Sequence, residues 1–154
     1  DKEGKVLAQF GVQHKEAISE QTAYTLTQML KGVITHGTAT RIYKYGLQMP
    51  LAGKTGTTQG NADAWFIGYN PDIVAGAWVG FEQPSVHFSG NSTGAGAAAA
   101  LPVVGGFLKR VFNDRSMRAK ITTNDFPLPS DSASIANFNC QAVDTVSNRE
   151  DLAP

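Results

Sequence analysis

Apolar and polar positions follow two different periods along this chain, and each change of period marks an element. Lys5-Val6-Leu7-Ala8-Gln9-Phe10 alternates roughly and reads as a short strand. Ala23, Leu26, Leu30, Val33 and Ile34 then recur at helical spacing. Ser19 is a capping residue before them, and Glu20 suits a first helical turn. Lys31 and His36 suit the last turn, and Gly37 is a stop signal. The spacing predicts one amphipathic helix over about residues 20–36.

After that helix the pattern turns extended. Pro50 blocks a helix, and the threonines of Gly53-Lys54-Thr55-Gly56-Thr57-Thr58 favour a strand. Gln59-Gly60-Asn61 reads as a turn. Residues 64–69 and 73–81 are strands joined through Asn70-Pro71-Asp72, a hairpin turn. Three neighbouring strands of this kind make an antiparallel meander. Leu101, Val104, Leu108, Val111 and Phe112 then form an apolar stripe, which predicts a helix over residues 94–112 that Pro102 kinks or delimits. From residue 114 the composition shifts to Ser, Asn, Asp and Pro, and residues 114–154 read as an extended or partly disordered tail. The fold class expected is α+β, an antiparallel sheet with flanking helices over residues 1–113. No internal repeat is visible.

Composition narrows the functions this pattern serves. Charged residues are 17% of the 154, below the usual quarter, and glycines number 16, so the chain buries much of its length or leans on a partner. The formal net charge is zero, which gives no electrostatic reason to expect nucleic acid or an anionic membrane surface. One cysteine, Cys140, excludes a disulfide framework within the chain, and a structural zinc site with it. His14, His36 and His87 show no metal spacing, and no metal or cofactor is expected. The longest apolar run, residues 95–108, is too short and Gly-rich to span a bilayer, which takes roughly 20 residues. No signal peptide opens the chain, and its start at Asp1 is expected of an excised piece of a longer protein.

Candidate chemistry centres on Lys54. Gly53-Lys54-Thr55 invites a phosphate-loop reading, but that loop needs an earlier glycine where Gln48 stands, and it should open a helix. Lys54-Thr55-Gly56-Thr57 on a strand fits acyl transfer better. Lys-Thr-Gly is one element of the set used by penicillin-recognising serine enzymes, with Ser-x-x-Lys and Ser-x-Asn as the others. Alone, its plain reading is an exposed lysine on an edge strand.

The surroundings of that motif resemble class A penicillin-binding proteins. The resemblance runs through Met29-Leu30-Lys31-Gly32-Val33, Gly37-Thr38-Ala39, residues 52–58, Asp63-Ala64-Trp65-Phe66-Ile67-Gly68-Tyr69 and Ala77-Trp78-Val79-Gly80-Phe81. It covers roughly residues 1–112, and the tail adds nothing to it. It implies an incomplete penicillin-binding, β-lactamase-like transpeptidase fold, one part of a domain whose other, N-terminal lobe carries the nucleophile. It also implies a substrate, the peptidoglycan stem peptide ending in D-Ala-D-Ala, and β-lactams as inhibitors. By that resemblance Lys54 supplies charge and helps the proton relay, and the Thr57 N–H is an oxyanion donor. Thr55 and Thr57 hold the terminal carboxylate, Gly56 lets substrate approach the strand, and Thr58 completes the substrate-binding run. The parent protein implied is a bifunctional, membrane-anchored cell-wall synthase on the extracytoplasmic, periplasmic face, with no membrane contact from this segment.

The chain departs from that pattern in one respect. It contains no Ser-x-x-Lys, and its one Ser-x-Asn, Ser89-Gly90-Asn91, follows Lys-Thr-Gly instead of preceding it and reads as a coincidence in a Ser/Gly-rich loop. The nucleophile and its base are therefore expected on a segment upstream of Asp1, and this chain alone should not acylate. Asp63 reads as structural, Trp65 and Trp78 as hairpin packing, and Cys140 as an inert thiol. Two alternatives stay open: a penicillin-recognising hydrolase, either a D,D-carboxypeptidase or a β-lactamase, and a non-catalytic binding module of the same fold.

Overall fold

The structure, a computed structural model, describes residues 6, 11, 15–83 and 85–131. The strand expected over residues 5–10, the tail beyond residue 131 and Cys140 lie outside the described residues, apart from Val6.

Helix α1 runs Glu20–Thr35, within a residue of the expected bounds. Ser19 caps it, its hydroxyl accepting the Thr22 N–H at 3.2 Å. At the other end the amides of His36 and Gly37 both return to the Gly32 carbonyl, at 2.9 and 3.0 Å. A Cβ on Gly37 would stand 2.8 Å from the Val33 Cα, so only glycine lets the chain fold back this tightly. The turn that follows buries Ala39 completely and ties its N–H to the Val33 carbonyl at 3.1 Å. A 3₁₀ turn, Thr40–Tyr45, then ends on Gly46 at φ 72°. Six residues are too few for a period to register, and the sequence reading missed it.

Strands β1 (Ala52–Thr57), β2 (Asp63–Tyr69) and β3 (Val74–Gly80) form the expected antiparallel meander in the order β1-β2-β3. Register is fixed by Thr57 opposite Ala64, Trp65 opposite Trp78, and Phe66 opposite Ala77. The β2–β3 turn is built by Asn70, 4% exposed, whose side-chain oxygen accepts the N–H groups of Asp72 at 3.1 Å and Ile73 at 2.8 Å.

The single helix expected over residues 94–112 is broken: α2 (Asn91–Gly94) ends where it should begin, and α3 (Gly96–Ala99) and α4 (Leu101–Asn113) follow. The first break is Ala95, extended at φ −69° and ψ 149°. The second comes where Pro102, lacking an N–H, occupies the first turn of α4 and starts the ladder afresh. Leu101, Val104, Leu108 and Val111 are the buried stripe of α4. Leu101, Val104 and Leu108 join Ile34, Ile42, Leu47, Leu51, Ala64, Phe66 and Ala77 in one core beneath the sheet. Helix α4 also lies directly on the 3₁₀ turn: a Cβ on Gly105 would be 2.5 Å from the Tyr45 ring.

Residues 114–131 run back across the molecule. A short α5 (Arg115–Arg118) is capped by Asp114, whose Oδ1 accepts the N–H groups of Ser116 and Met117 at 2.8 and 3.1 Å. An extended strap follows. The Thr122 N–H donates to Asp72, Phe126 meets Tyr69 edge-on at 5.6 Å, Lys31 pairs with Asp125 at 2.6 Å, and the Ser130 N–H donates to Glu20 at 2.9 Å. The strap therefore lies along α1, and Ala23, Tyr24 and Thr27 line a groove with Phe126 and Leu128. Among the described residues no helix is long and apolar enough to cross a membrane.

Candidate active-site edge

Strand β1 is at the end of the sheet order, with β2 on one side and no strand on the other among the described residues. In an antiparallel ladder, successive backbone groups point alternately to the two sides. The Thr58 N–H donates inward, to the Asp63 carbonyl at 3.0 Å. The N–H and C=O groups of Thr57 and Thr55 consequently point outward, to the open side of the sheet. Two alternate edge residues thus offer outward amide donors along the strand, an arrangement that takes an extended peptide or an oxyanion.

Both threonine hydroxyls on that strand are anchored from flanking turns. Thr55 Oγ1 and Thr38 Oγ1 are 2.7 Å apart, Thr38 being held in the turn after α1. Thr57 Oγ1 accepts the Gly96 N–H at 2.9 Å. Gly96 reaches the strand because it has no side chain: a Cβ there would stand 2.3 Å from the Trp65 carbonyl oxygen and 2.5 Å from that of Gly56. Each Thr oxygen has a neighbour of donor type beside it, so each hydroxyl proton can still be directed at an anion.

Lys54 is exposed, its ammonium donating to the Thr55 carbonyl at 2.6 Å, so its charge sits at the same open edge. Gly56 lies opposite Trp65, and a Cβ on it would come within 3.2 Å of the Trp65 Cβ. Thr58 is placed differently. Its hydroxyl accepts the Asp63 N–H at 2.8 Å, which directs it to the turn between β1 and β2 and away from the other two threonines. Asp63 is engaged structurally as well, accepting the Trp78 indole N–H at 2.9 Å. Trp78 packs against Trp65 with ring centroids 6.5 Å apart. Ser89 and Asn91 belong to the loop and short helix before α3. No group of three or more potential metal ligands occurs among the described residues.

The structure thus brings Lys54, Thr55, Gly56 and Thr57 to one edge and sets Thr58 on the turn beside it. Sequence reasoning assigned no role to Thr38 or Gly96. The signals were present, in Gly37-Thr38-Ala39 and in the Gly94-Ala95-Gly96 spacing, but nothing in a linear pattern places either beside residue 55 or 57.

Residues 6–101 match the family described as Penicillin binding protein transpeptidase domain. The chain is 38% identical to Penicillin-binding protein 1A of Neisseria lactamica over 108 residues, which is 67% of this chain and 13% of that protein. It is 51% identical to Penicillin-binding protein 1A of Pseudomonas aeruginosa over 67 residues, 44% of this chain and 8% of that protein. The crystal structure of Penicillin-Binding Protein 1A from Haemophilus influenzae superposes with a TM-score of 0.61 at 26% identity, covering 73% of this chain and 17% of that one. The chain therefore spans about an eighth of the length of the curated relatives it matches.

Proposed function

This chain belongs to the penicillin-binding protein transpeptidase family, and from that premise we propose that it supplies the substrate-binding edge of a serine D,D-transpeptidase that cross-links peptidoglycan stem peptides. The observation that carries the reading is the open edge of β1, where the outward amides of Thr55 and Thr57, two anchored hydroxyls and the Lys54 charge meet.

The chemistry assigns each group a task. A stem peptide ending in D-Ala-D-Ala lies along β1 as an added strand, and the missing side chain of Gly56 lets it approach. The hydroxyls of Thr55 and Thr57 hold its terminal carboxylate, with Thr58 at the far end of the run. A serine hydroxyl attacks the penultimate carbonyl and gives its proton to a neighbouring base. The oxygen of the tetrahedral intermediate takes the Thr57 N–H, a kind of donor worth about 10²–10³ in kcat. Collapse expels D-alanine, which takes the proton from the base; the amine of a second stem peptide then attacks the acyl-serine, the ester bond breaks, and the amine's proton returns to the serine oxygen as the cross-link forms. Lys54 stabilises the negative charge around these steps and helps move the protons. Since this chain contains no Ser-x-x-Lys, the serine and its base belong to another lobe of the same domain. β-Lactams enter as acylating mimics of the same substrate. The reading extends to a membrane-anchored protein whose transpeptidase domain works on the extracytoplasmic side.

Mass spectrometry of the full-length protein after exposure to penicillin tests this. The expected result is one covalent adduct, on a serine of a Ser-x-x-Lys segment. No adduct would leave a binding module of the same fold. Rapid loss of the adduct to water, with no acceptor amine used, would make the protein a hydrolase.

A further inference from the structure

The turn after α1 holds Thr38 beside the substrate edge with more care than a surface threonine requires. Gly37 permits the fold-back on Val33, Ala39 is fully buried, and the Ala39 N–H is tied to the Val33 carbonyl. Thr38 itself is exposed between these two anchors, and its hydroxyl lies 2.7 Å from that of Thr55. A threonine hydroxyl has one proton and two lone pairs, so one of the pair donates and the other accepts. The Thr55 hydroxyl can present its proton to an anion only when Thr38 is the donor.

We infer that Thr38 is a positioning residue for carboxylate recognition: it donates its hydroxyl proton to Thr55 Oγ1 and thereby commits the Thr55 proton to the substrate's terminal carboxylate. This rests on the transpeptidase reading above. In the chain Thr38–Thr55–carboxylate, each bond polarises the next, so the donor facing the anion is strengthened as well as oriented. Thr38 touches no reacting atom. Its contribution is confined to ligands that carry the anion.

The test compares acylation of the full-length protein by a penicillin and by the methyl ester of the same penicillin, in which the carboxylate is masked. Thr38→Val keeps the shape and removes the hydroxyl; Thr38→Ser keeps the hydroxyl. Thr38→Val is expected to lower the second-order acylation rate of the free acid about tenfold and to leave that of the ester within about twofold. Thr38→Ser is expected to match the wild type on both. In a Thr55→Val background, Thr38→Val should change the acid-to-ester ratio no further, since the effect runs through Thr55. An equal loss on acid and ester, or none on either, would overturn the inference while leaving the transpeptidase reading intact. A further fall of the ratio in the Thr55→Val background would overturn it too. A wild type that forms no adduct with either compound would instead remove the reading on which it rests.

Discussion

The Gly96 amide donates to Thr57 Oγ1 at 2.9 Å, joining α3 to the last residue of β1. The approach leaves no room for a side chain, because a Cβ on residue 96 would overlap the carbonyl oxygens of both Trp65 and Gly56. Backbone atoms of a paired ladder cannot move aside without breaking the ladder. Gly96→Ala is therefore expected to destabilise the fold by about 1–3 kcal/mol and to slow acylation as Thr57 shifts. Thermal unfolding measures the first effect and penicillin labelling the second. An unchanged melting temperature would mean that α3 does not sit on the strand.

Lys54 should affect function and not folding. Its side chain is exposed and, among the described residues, bonds only to the neighbouring carbonyl of Thr55, so little packing is lost with it. In the full-length protein Lys54→Ala is expected to lower penicillin acylation at least about tenfold and to change stability by no more than roughly 1 kcal/mol. Equal acylation rates would sink its catalytic assignment. A large fall in melting temperature would make the residue structural.

The 154-residue chain by itself should form no covalent adduct with a labelled penicillin. It carries the proposed oxyanion donor and the proposed carboxylate-binding hydroxyls but no Ser-x-x-Lys. A stoichiometric adduct on any of its own serines, Ser89 included, would overturn the division of the site between two lobes.

Attachment of the strap should depend on pH. Glu20 is held below the usual carboxylate range by the hydroxyl and then the backbone N–H of Ser130. For Asp125, burial pushes the carboxyl up, but the hydrogen bond from Lys31, that from the Phe126 N–H and the Lys31 charge together outweigh it and leave the group lowered. A carboxyl whose value is depressed in the folded state adds stability above its unfolded value, and that stability is lost as the pH falls through the folded value. The strap should thus stay bound at neutral pH and loosen below about pH 4. The amide proton shifts of Phe126 and Ser130 report it directly, and their midpoints are expected beneath those of ordinary carboxyls. Midpoints at ordinary values would mean that the two bonds do not form in solution.

Much of this architecture was legible in the sequence because its signals are local. Ser19, the spacing from Ala23 to Ile34 and Gly37 define α1, and Asn70-Pro71-Asp72 joins two runs of strand residues. The long helix was misread because alanine has a strong helical preference while the break depends on Ala95 taking an extended backbone, which no side chain announces. The same limit applies to the site. Lys54 to Thr57 could be read from a contiguous motif, whereas Thr38 and Gly96 reach that motif across 17 and 39 residues of chain. Contacts of that span follow from packing, and the linear pattern does not carry them.

The strap has a consequence for the order of events during synthesis. Lys31 meets Asp125 across 94 positions of chain, and Glu20 meets Ser130 across 110. Helix α1 leaves the ribosome well before either partner exists, at roughly 5–20 residues per second for translation. For several seconds the flank bearing Tyr24 and Thr27 stands bare, while β1 to β3 emerge and pair by short-range contacts. The strap can close only after Ser130 has emerged, so the bonds that Thr122 and Ser130 make are among the last that the described residues can form.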